Sequence, residues 1–283
     1  MQEPATSSDI AQPPVPIKLR RFRRLSIFAV LLATAIYFIP YIALAYLVFG
    51  ILDVARHRNV TLDLVEKYFF GNGVLTWMLS PLNLLADVFS YKNHLVWRLE
   101  DLPQEHRAEI ELCVKEFIAN GDRIRQHVAK QFGDSKRAML TFKWYDAQQT
   151  TDLRVPAFEQ DFKYIKTVAV SVFNQKERTS WHFGPLRMTF RVLYNLDPAP
   201  GKDAFIEADN VINYWSEQPL FIFDDTILHR STNRVNAPRY CLFMDIVRPN
   251  YLPPSAFNVA VQASSVVSGS FKRLFYNHWS FIR

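Results

Sequence analysis

From Ala138 onward this chain is a series of short β-rich runs: residues 139–145, 165–173, 187–196, 204–208, 211–215, 220–223 and 240–247. β-Branched and aromatic residues dominate them, and turn-forming clusters such as Asn195-Leu196-Asp197-Pro198-Ala199-Pro200-Gly201 divide them. Short strands at this spacing predict a mainly β fold, a sandwich or barrel of the jelly-roll kind. A chain of 283 residues, 49% of them hydrophobic, accommodates one such domain of about 150–200 residues with additional segments. No internal repeat is visible.

The additional segments lie at both ends. Residues 1–25 are rich in proline, serine and glutamine and close on the basic run Lys18-Leu19-Arg20-Arg21-Phe22-Arg23-Arg24, which reads as a disordered basic N-terminus. Residues 26–92 read as a membrane anchor. Ser26 to Gly50 has no charged residue over 25 positions, long enough for one span, with Pro40 interrupting it. A second apolar segment, residues 69–89, contains Gly71, Asn72, Gly73, Pro81 and Asp87; it either returns across the bilayer or lies in its interface. The basic run ahead of Ser26 favours a cytoplasmic N-terminus, while Arg56, His57 and Arg58 follow the first segment and offset that asymmetry.

Residues 101–254 have the composition of a soluble globular domain. Its start, residues 103–132, places Ile110, Phe117, Ile124 and Val128 at helical spacing, as one or two amphipathic helices. The tail, residues 255–283, mixes aromatic and basic residues (Phe271, Lys272, Arg273, Trp279) and suits a membrane interface or a helix packed on the domain. The net charge of +6 is concentrated in the N-terminal run, and no basic stripe with interleaved aromatics continues into the domain, so a nucleic-acid partner is not expected. Cys113 and Cys241 both fall in apolar patterns and read as buried thiols, with no disulfide framework.

The chemistry-bearing residues sit in the β-rich half. His182, in Trp181-His182-Phe183-Gly184-Pro185, is followed nine residues later by Arg191, and His229 is followed ten residues later by Arg239. Two neutral imidazoles at strand ends are able to hold a divalent metal, and two guanidiniums on neighbouring strands are able to hold a dicarboxylate beside it. A charged arginine facing a barrel interior needs an anion; for Arg239 that is either a cosubstrate or a protein Asp. Asp224-Asp225, just before His229, could supply a carboxylate that orients an imidazole.

The stretch 220–249 resembles the C-terminal core of the aspartyl/asparaginyl β-hydroxylase family. The resemblance rests on Phe223-Asp224-Asp225, His229, Asn233, Arg239, Asp245 and Arg248-Pro249, and in the first half on His182-Phe183-Gly184-Pro185, Arg191 and Ser171. It covers roughly residues 140–252. The layout, with an N-terminal hydrophobic anchor, Lys143-Trp144-Tyr145 and the run from Phe243 to Pro249, is similar to the membrane-anchored branch that resembles lipid A hydroxylases. The resemblance implies a double-stranded β-helix core, with Fe(II) on His182 and His229 and 2-oxoglutarate and O2 as cosubstrates. It also implies Arg191 on the C1 carboxylate, and Arg239 with Ser171 on the distal carboxylate.

Two positions depart from the pattern. Gly184 stands where the facial triad of most such oxygenases has an acid, a lack shared with the protein β-hydroxylases of the family. Leu193 stands where the family often has a second His. The leading expectation is a dioxygenase hydroxylating a membrane lipid acyl chain, at the cytoplasmic membrane with its catalytic domain in the cytoplasm. An aspartyl/asparaginyl hydroxylase acting on a protein, and a non-catalytic membrane-tethered barrel, remain alternatives. The sequence leaves the oligomeric state open.

Overall fold

The computed structural model describes residues 17–133, 135–198, 201–253 and 279–283. The expectation of disorder over residues 1–16, and the expectations for residues 254–278 of the tail, lie outside the described residues. The chain forms two compact units, residues 1–47 and 48–283.

Helix α1 (Ile17–Phe38) is followed by α2 (Pro40–Val54), so residues 17–25 are helical and not disordered as expected. Proline has no amide hydrogen and disfavours helical geometry in the residue before it, which divides the uncharged stretch at Ile39. The uncharged part of α1 is about 21 Å long and α2 about 22 Å, against roughly 30 Å of hydrocarbon in a bilayer. No helix among the described residues is long and apolar enough to cross a membrane, which corrects the expected span over Ser26–Gly50.

The second apolar segment is also broken. It becomes the end of α3 (Leu62–Phe70), then α4 (Val74–Met78) and α5 (Ser80–Phe89). Gly73 lies against the Tyr68 backbone with no room for a Cβ, and Pro81 opens α5, where its missing N–H costs nothing. These pieces are too short to return across a bilayer. They belong to the same compact unit as the β-rich half, so no domain boundary falls near residues 92–101.

Helices α6 (Gln104–Ala119) and α7 (Gly121–Phe132) follow as expected, burying Ile110, Cys113, Phe117, Ile124 and Val128. A short α8 (Pro156–Glu159) interrupts the strands. The strands are β1 (Val96–Trp97), β2 (Arg137–Trp144), β3 (Ala147–Gln148), β4 (Ile165–Phe173), β5 (Glu177–Arg178) and β6 (Thr189–Asn195). Then come β7 (Ala204–Ala208), β8 (Val211–Tyr214), β9 (Leu220–Phe223), β10 (His229–Asn233), β11 (Arg239–Val247) and β12 (Ser280–Ile282). The large sheet has the order β1-β9-β6-β11-β4-β2-β12, with β3 on β2, and the small sheet β5-β10-β7-β8. The fold is mainly β and the sheets are antiparallel apart from the β12–β2 edge pair, which is parallel. That edge strand corrects part of the tail reading: Ile282 is buried in the core, and Trp279 meets Phe173 edge-on.

Strand alternation sorts the large sheet into two faces. Val168, Val170, Val172, Phe190, Val192, Leu242, Met244 and Ile246 pack under the helices in the main core. Ala169, Leu193, Phe223, Cys241 and Phe243 face inward and pack with Ala204, Ile206 and Ala208 of the small sheet. Ser171, Arg191, Arg239 and Asp245 share the inner phase, so the same period of two that builds the core places four polar side chains between the sheets.

The helices α2 and α5 are joined to the sheets by a buried cluster of three arginines and three aspartates. Arg187 bonds Asp53 and lies 2.9 Å from Asp87 and 3.2 Å from Asp224. Arg248 reaches Asp87 at 3.0 Å, and Arg56 reaches Asp224 at 3.0 Å and Asp87 at 3.2 Å. Tyr68 Oη donates to Asp53 at 2.6 Å. The charges balance, which is the condition for burying them at all. Burial raises the Asp224 carboxyl, but Arg56, Arg187 and Arg248 outweigh it and hold the group below its ordinary value of 3.8. A carboxylate with a depressed folded pKa stabilises fully above its unfolded pKa and loses that stabilisation as pH falls through it. Urea unfolding should therefore show stability falling below about pH 4, more steeply in the wild-type chain than in Asp224→Asn. At pH 7, Asp224→Ala should cost about 3–5 kcal/mol, because it strands buried arginines.

Candidate active site

His182 and His229 form an isolated antiparallel bridge between the end of β10 and the loop before β6. Each amide donates to the other residue's carbonyl at 3.0 Å, and the imidazole centroids are 4.1 Å apart. The Nδ1 of His182 lies 2.8 Å from the Ser180 carbonyl and the Nδ1 of His229 lies 2.8 Å from the Ile227 carbonyl. A carbonyl only accepts, so both Nδ1 atoms carry the proton and both Nε2 atoms keep a lone pair. Burial lowers the His182 pKa to about 4. Burial, then the His182 neighbour, holds His229 well below 6.5. Both rings are neutral at pH 7, as metal ligands must be.

Asp224 and Asp225 do not orient these rings, contrary to expectation. Asp224 belongs to the arginine cluster, and Asp225 turns the other way, to Arg191 Nη2 at 2.7 Å. The Asp225 carboxyl fills the space that a Cβ on Gly184 would need, and the Gly184 amide donates to the Asp225 carbonyl at 2.6 Å. A side chain at position 184 is thus excluded by the Asp225 carboxyl from the β9–β10 loop. Burial, and the nearby Asp245 and Asp224, outweigh Arg191 and push the Asp225 carboxyl up to about 7. Among the described residues, no group of three His, Cys, Asp or Glu is arranged to hold a metal, so a metal here rests on the two imidazoles.

The two arginines differ. Arg191 is already paired, its Nε donating to Asp245 at 2.7 Å and its Nη2 to Asp225, over the Phe243 ring. Arg239 has no carboxylate partner among the described residues. Its Nη2 donates to Ser231 Oγ at 2.8 Å, while its buried Nε and Nη1 have no partner among the described residues. It stacks over Phe173 at 4.5 Å and Trp215 at 5.4 Å, and burial lowers its pKa. Ser171 lines the same space but donates to the Cys241 carbonyl at 3.3 Å, so the hydroxyl on the guanidinium is that of Ser231, which the sequence reading missed. Leu193 contributes an apolar wall where a second imidazole was the family alternative.

These groups line one cavity of about 630 Å³. Arg239, Ser171 and Ser231 are among its polar lining, and Val74, Leu75 and Met78 of α4 bring apolar side chains to it, a contribution hidden in a segment read as membrane anchor. The turn after α2 braces the loop leading into β10: His57 Nδ1 bonds the Val54 carbonyl at 3.0 Å and its Nε2 accepts from the Leu228 amide at 3.2 Å.

Residues 141–249 match the sequence profile of the Aspartyl/Asparaginyl beta-hydroxylase family. That match covers the β-rich half of the chain and shows what this portion is similar to. The chain is also similar to the ornithine lipid ester-linked acyl 2-hydroxylase of Rhizobium tropici, with 29% identity over 115 residues. The match spans 40% of this chain and 41% of that protein. Among solved structures, AviO1 from Streptomyces viridochromogenes Tue57 is 12% identical, with a TM-score of 0.32 over 50% of this chain and 86% of that one. An oxidoreductase of the 2OG-Fe(II) oxygenase family from Burkholderia pseudomallei is 12% identical, with a TM-score of 0.24 over 31% of this chain and 47% of that one.

The packing of Gly184 on Asp225 generates a double-mutant test. Gly184→Ala should destabilise the chain by about 1–3 kcal/mol through overpacking. The same Gly184→Ala change should cost much less in an Asp225→Ala background, because that change vacates the space. Urea unfolding of the two single variants and the double variant measures the coupling.

Proposed function

We propose that this protein is an Fe(II)- and 2-oxoglutarate-dependent dioxygenase that hydroxylates the acyl chain of a membrane lipid, of the lipid A type or a related acylated lipid. The observation that carries the reading is Arg239: a buried cation with two unpartnered N–H groups among the described residues, in the same cavity as two neutral imidazoles with free Nε2 atoms. A buried guanidinium without an anion is costly, and a planar carboxylate matches two of its N–H groups at once.

The residues fit the cofactor. His182 and His229 would hold the iron through Nε2, with Nδ1 fixed by the Ser180 and Ile227 carbonyls. Bound there, the iron supplies the oxygen activation and C–H oxidation that side chains cannot perform, at the expense of the keto acid. Arg239, steadied by Ser231, would clamp the distal carboxylate, with the Ser171 hydroxyl beside it. Arg191 holds Asp225 and Asp245 through Nη2 and Nε, and a cosubstrate C1 carboxylate would share this guanidinium with them. The apolar α4 side chains supply the wall along which a hydrocarbon chain lies. The Rhizobium tropici relative, named for 2-hydroxylation of an ester-linked acyl group, supports an acyl substrate and the carbon next to its carbonyl. On this reading the catalytic unit works at the cytoplasmic face of the membrane, where 2-oxoglutarate is available.

Oxygen-dependent formation of succinate from 2-oxoglutarate tests the reading. His182→Ala and His229→Ala should each abolish it. Arg239→Leu should raise the KM for 2-oxoglutarate roughly ten- to hundredfold, the loss of a charge-assisted hydrogen-bond pair, with a smaller effect on kcat. Unchanged turnover in both histidine variants would refute the proposal.

A further inference from the structure

Helix α5 is built with its polarity reversed. The side it buries against the sheets carries Ser80 and Asn83, both fully buried, and Asp87. Asn83 accepts from the Arg187 amide at 2.9 Å and donates to the Pro185 carbonyl at 3.1 Å, and Asp87 receives Arg187, Arg248 and Arg56. Its outer side carries Leu82, Leu85 and Val88, which are 42%, 48% and 73% exposed. These three stand at i, i+3 and i+6, one stripe of the helix. Met78, at the end of α4, extends the stripe and is 58% exposed, while Thr76 of the same helix is buried and donates to the Gly184 carbonyl.

A helix in water does the opposite. Burying a leucine or valine stabilises a protein, so turning three of them outward while burying an asparagine and an aspartate is unfavourable on both counts unless the outside is apolar. From residue 69 to residue 91 the only charged side chain is Asp87, and it points inward. All the exposed large hydrophobic side chains among the described residues fall between residues 22 and 91, except Leu112, Ile118, Ile212, Tyr251 and Phe281. The densest basic run of the chain, Lys18 to Arg24, precedes these helices in sequence, which complements an anionic lipid surface.

We infer that the outer face of α4 and α5 is a bilayer-docking surface, seated in the interface about 5–10 Å below the headgroups, with no need to span. Met78 both belongs to this face and lines the cavity, so docking opens the cavity mouth to hydrocarbon. The docking follows from the inverted helix alone; the statement that an acyl chain enters past Met78 rests on the function proposed above.

The test uses the full chain with Leu85→Cys labelled by an environment-sensitive fluorophore; the native Cys113 and Cys241 are buried. Leu112→Cys, on the charged α6, serves as the control. With phosphatidylcholine/phosphatidylglycerol vesicles, the label at position 85 should shift to the blue, be quenched by a nitroxide placed shallowly on the lipid, and lose its quenching by aqueous iodide. The label at position 112 should do none of these. Equal responses at the two positions, or none at either, would overturn the inference. So would shielding of position 85 from iodide before vesicles are added, which would mean that a second copy or another part of the chain covers the face. The readout needs neither iron nor turnover, so it fails or succeeds independently of the enzymatic reading.

Discussion

The buried cluster of Arg56, Arg187 and Arg248 with Asp53, Asp87 and Asp224 is the interaction on which the rest of this structure depends. It draws together the end of α2, helix α5 and three points at the ends of β6, β9 and β11 in the large sheet. Six charges in an apolar interior tolerate no missing partner, which makes the docking of the helices all-or-none. Two consequences follow for the site. The helices close over the cavity and give it an apolar wall from α4, and Asp224 is anchored facing away from the cavity, which leaves Asp225 to face into it.

The site itself combines two kinds of preorganisation. The imidazoles are fixed by backbone carbonyls rather than by acids, so they are neutral, oriented and able to lend their Nε2 lone pairs to a metal. The guanidiniums divide their work. Arg191 is satisfied within the protein and stabilises a carboxylate beside the histidines, whereas Arg239 is left with two buried donors open. Burial of an unsatisfied cation is tolerated where a ligand completes it, and that asymmetry is what the proposed carboxylate cosubstrate rests on.

Much of this was legible in the sequence, and the failures have physical causes. The longer apolar strands announced themselves by composition and turn residues, and period-two alternation put Ser171, Arg191 and Arg239 on one face. Strand β10, His229-Arg230-Ser231-Thr232-Asn233, is too polar to stand out beyond its histidine, and β1, β3, β5 and β12 are too short to leave a pattern. Hydropathy misled most over residues 69–89, because it counts apolar residues without knowing which way they face. In α5 the buried positions are Ser80, Asn83 and Ala86, Asp87 turns its carboxylate inward to the arginines, and Leu82 and Leu85 look outward. Asp225 was misassigned because two adjacent aspartates point in opposite directions, and only the neighbours in space, Arg187 for one and Arg191 for the other, tell them apart.

The most direct measurement is mass spectrometry of total lipids and proteins from cells grown under heavy-isotope dioxygen, comparing the wild-type chain with His182→Ala. A membrane-lipid hydroxylase should put one heavy oxygen atom into an acyl chain, on the carbon next to its carbonyl, in the wild-type cells alone. Heavy oxygen confined to aspartyl or asparaginyl side chains, or absent from both pools, would contradict it.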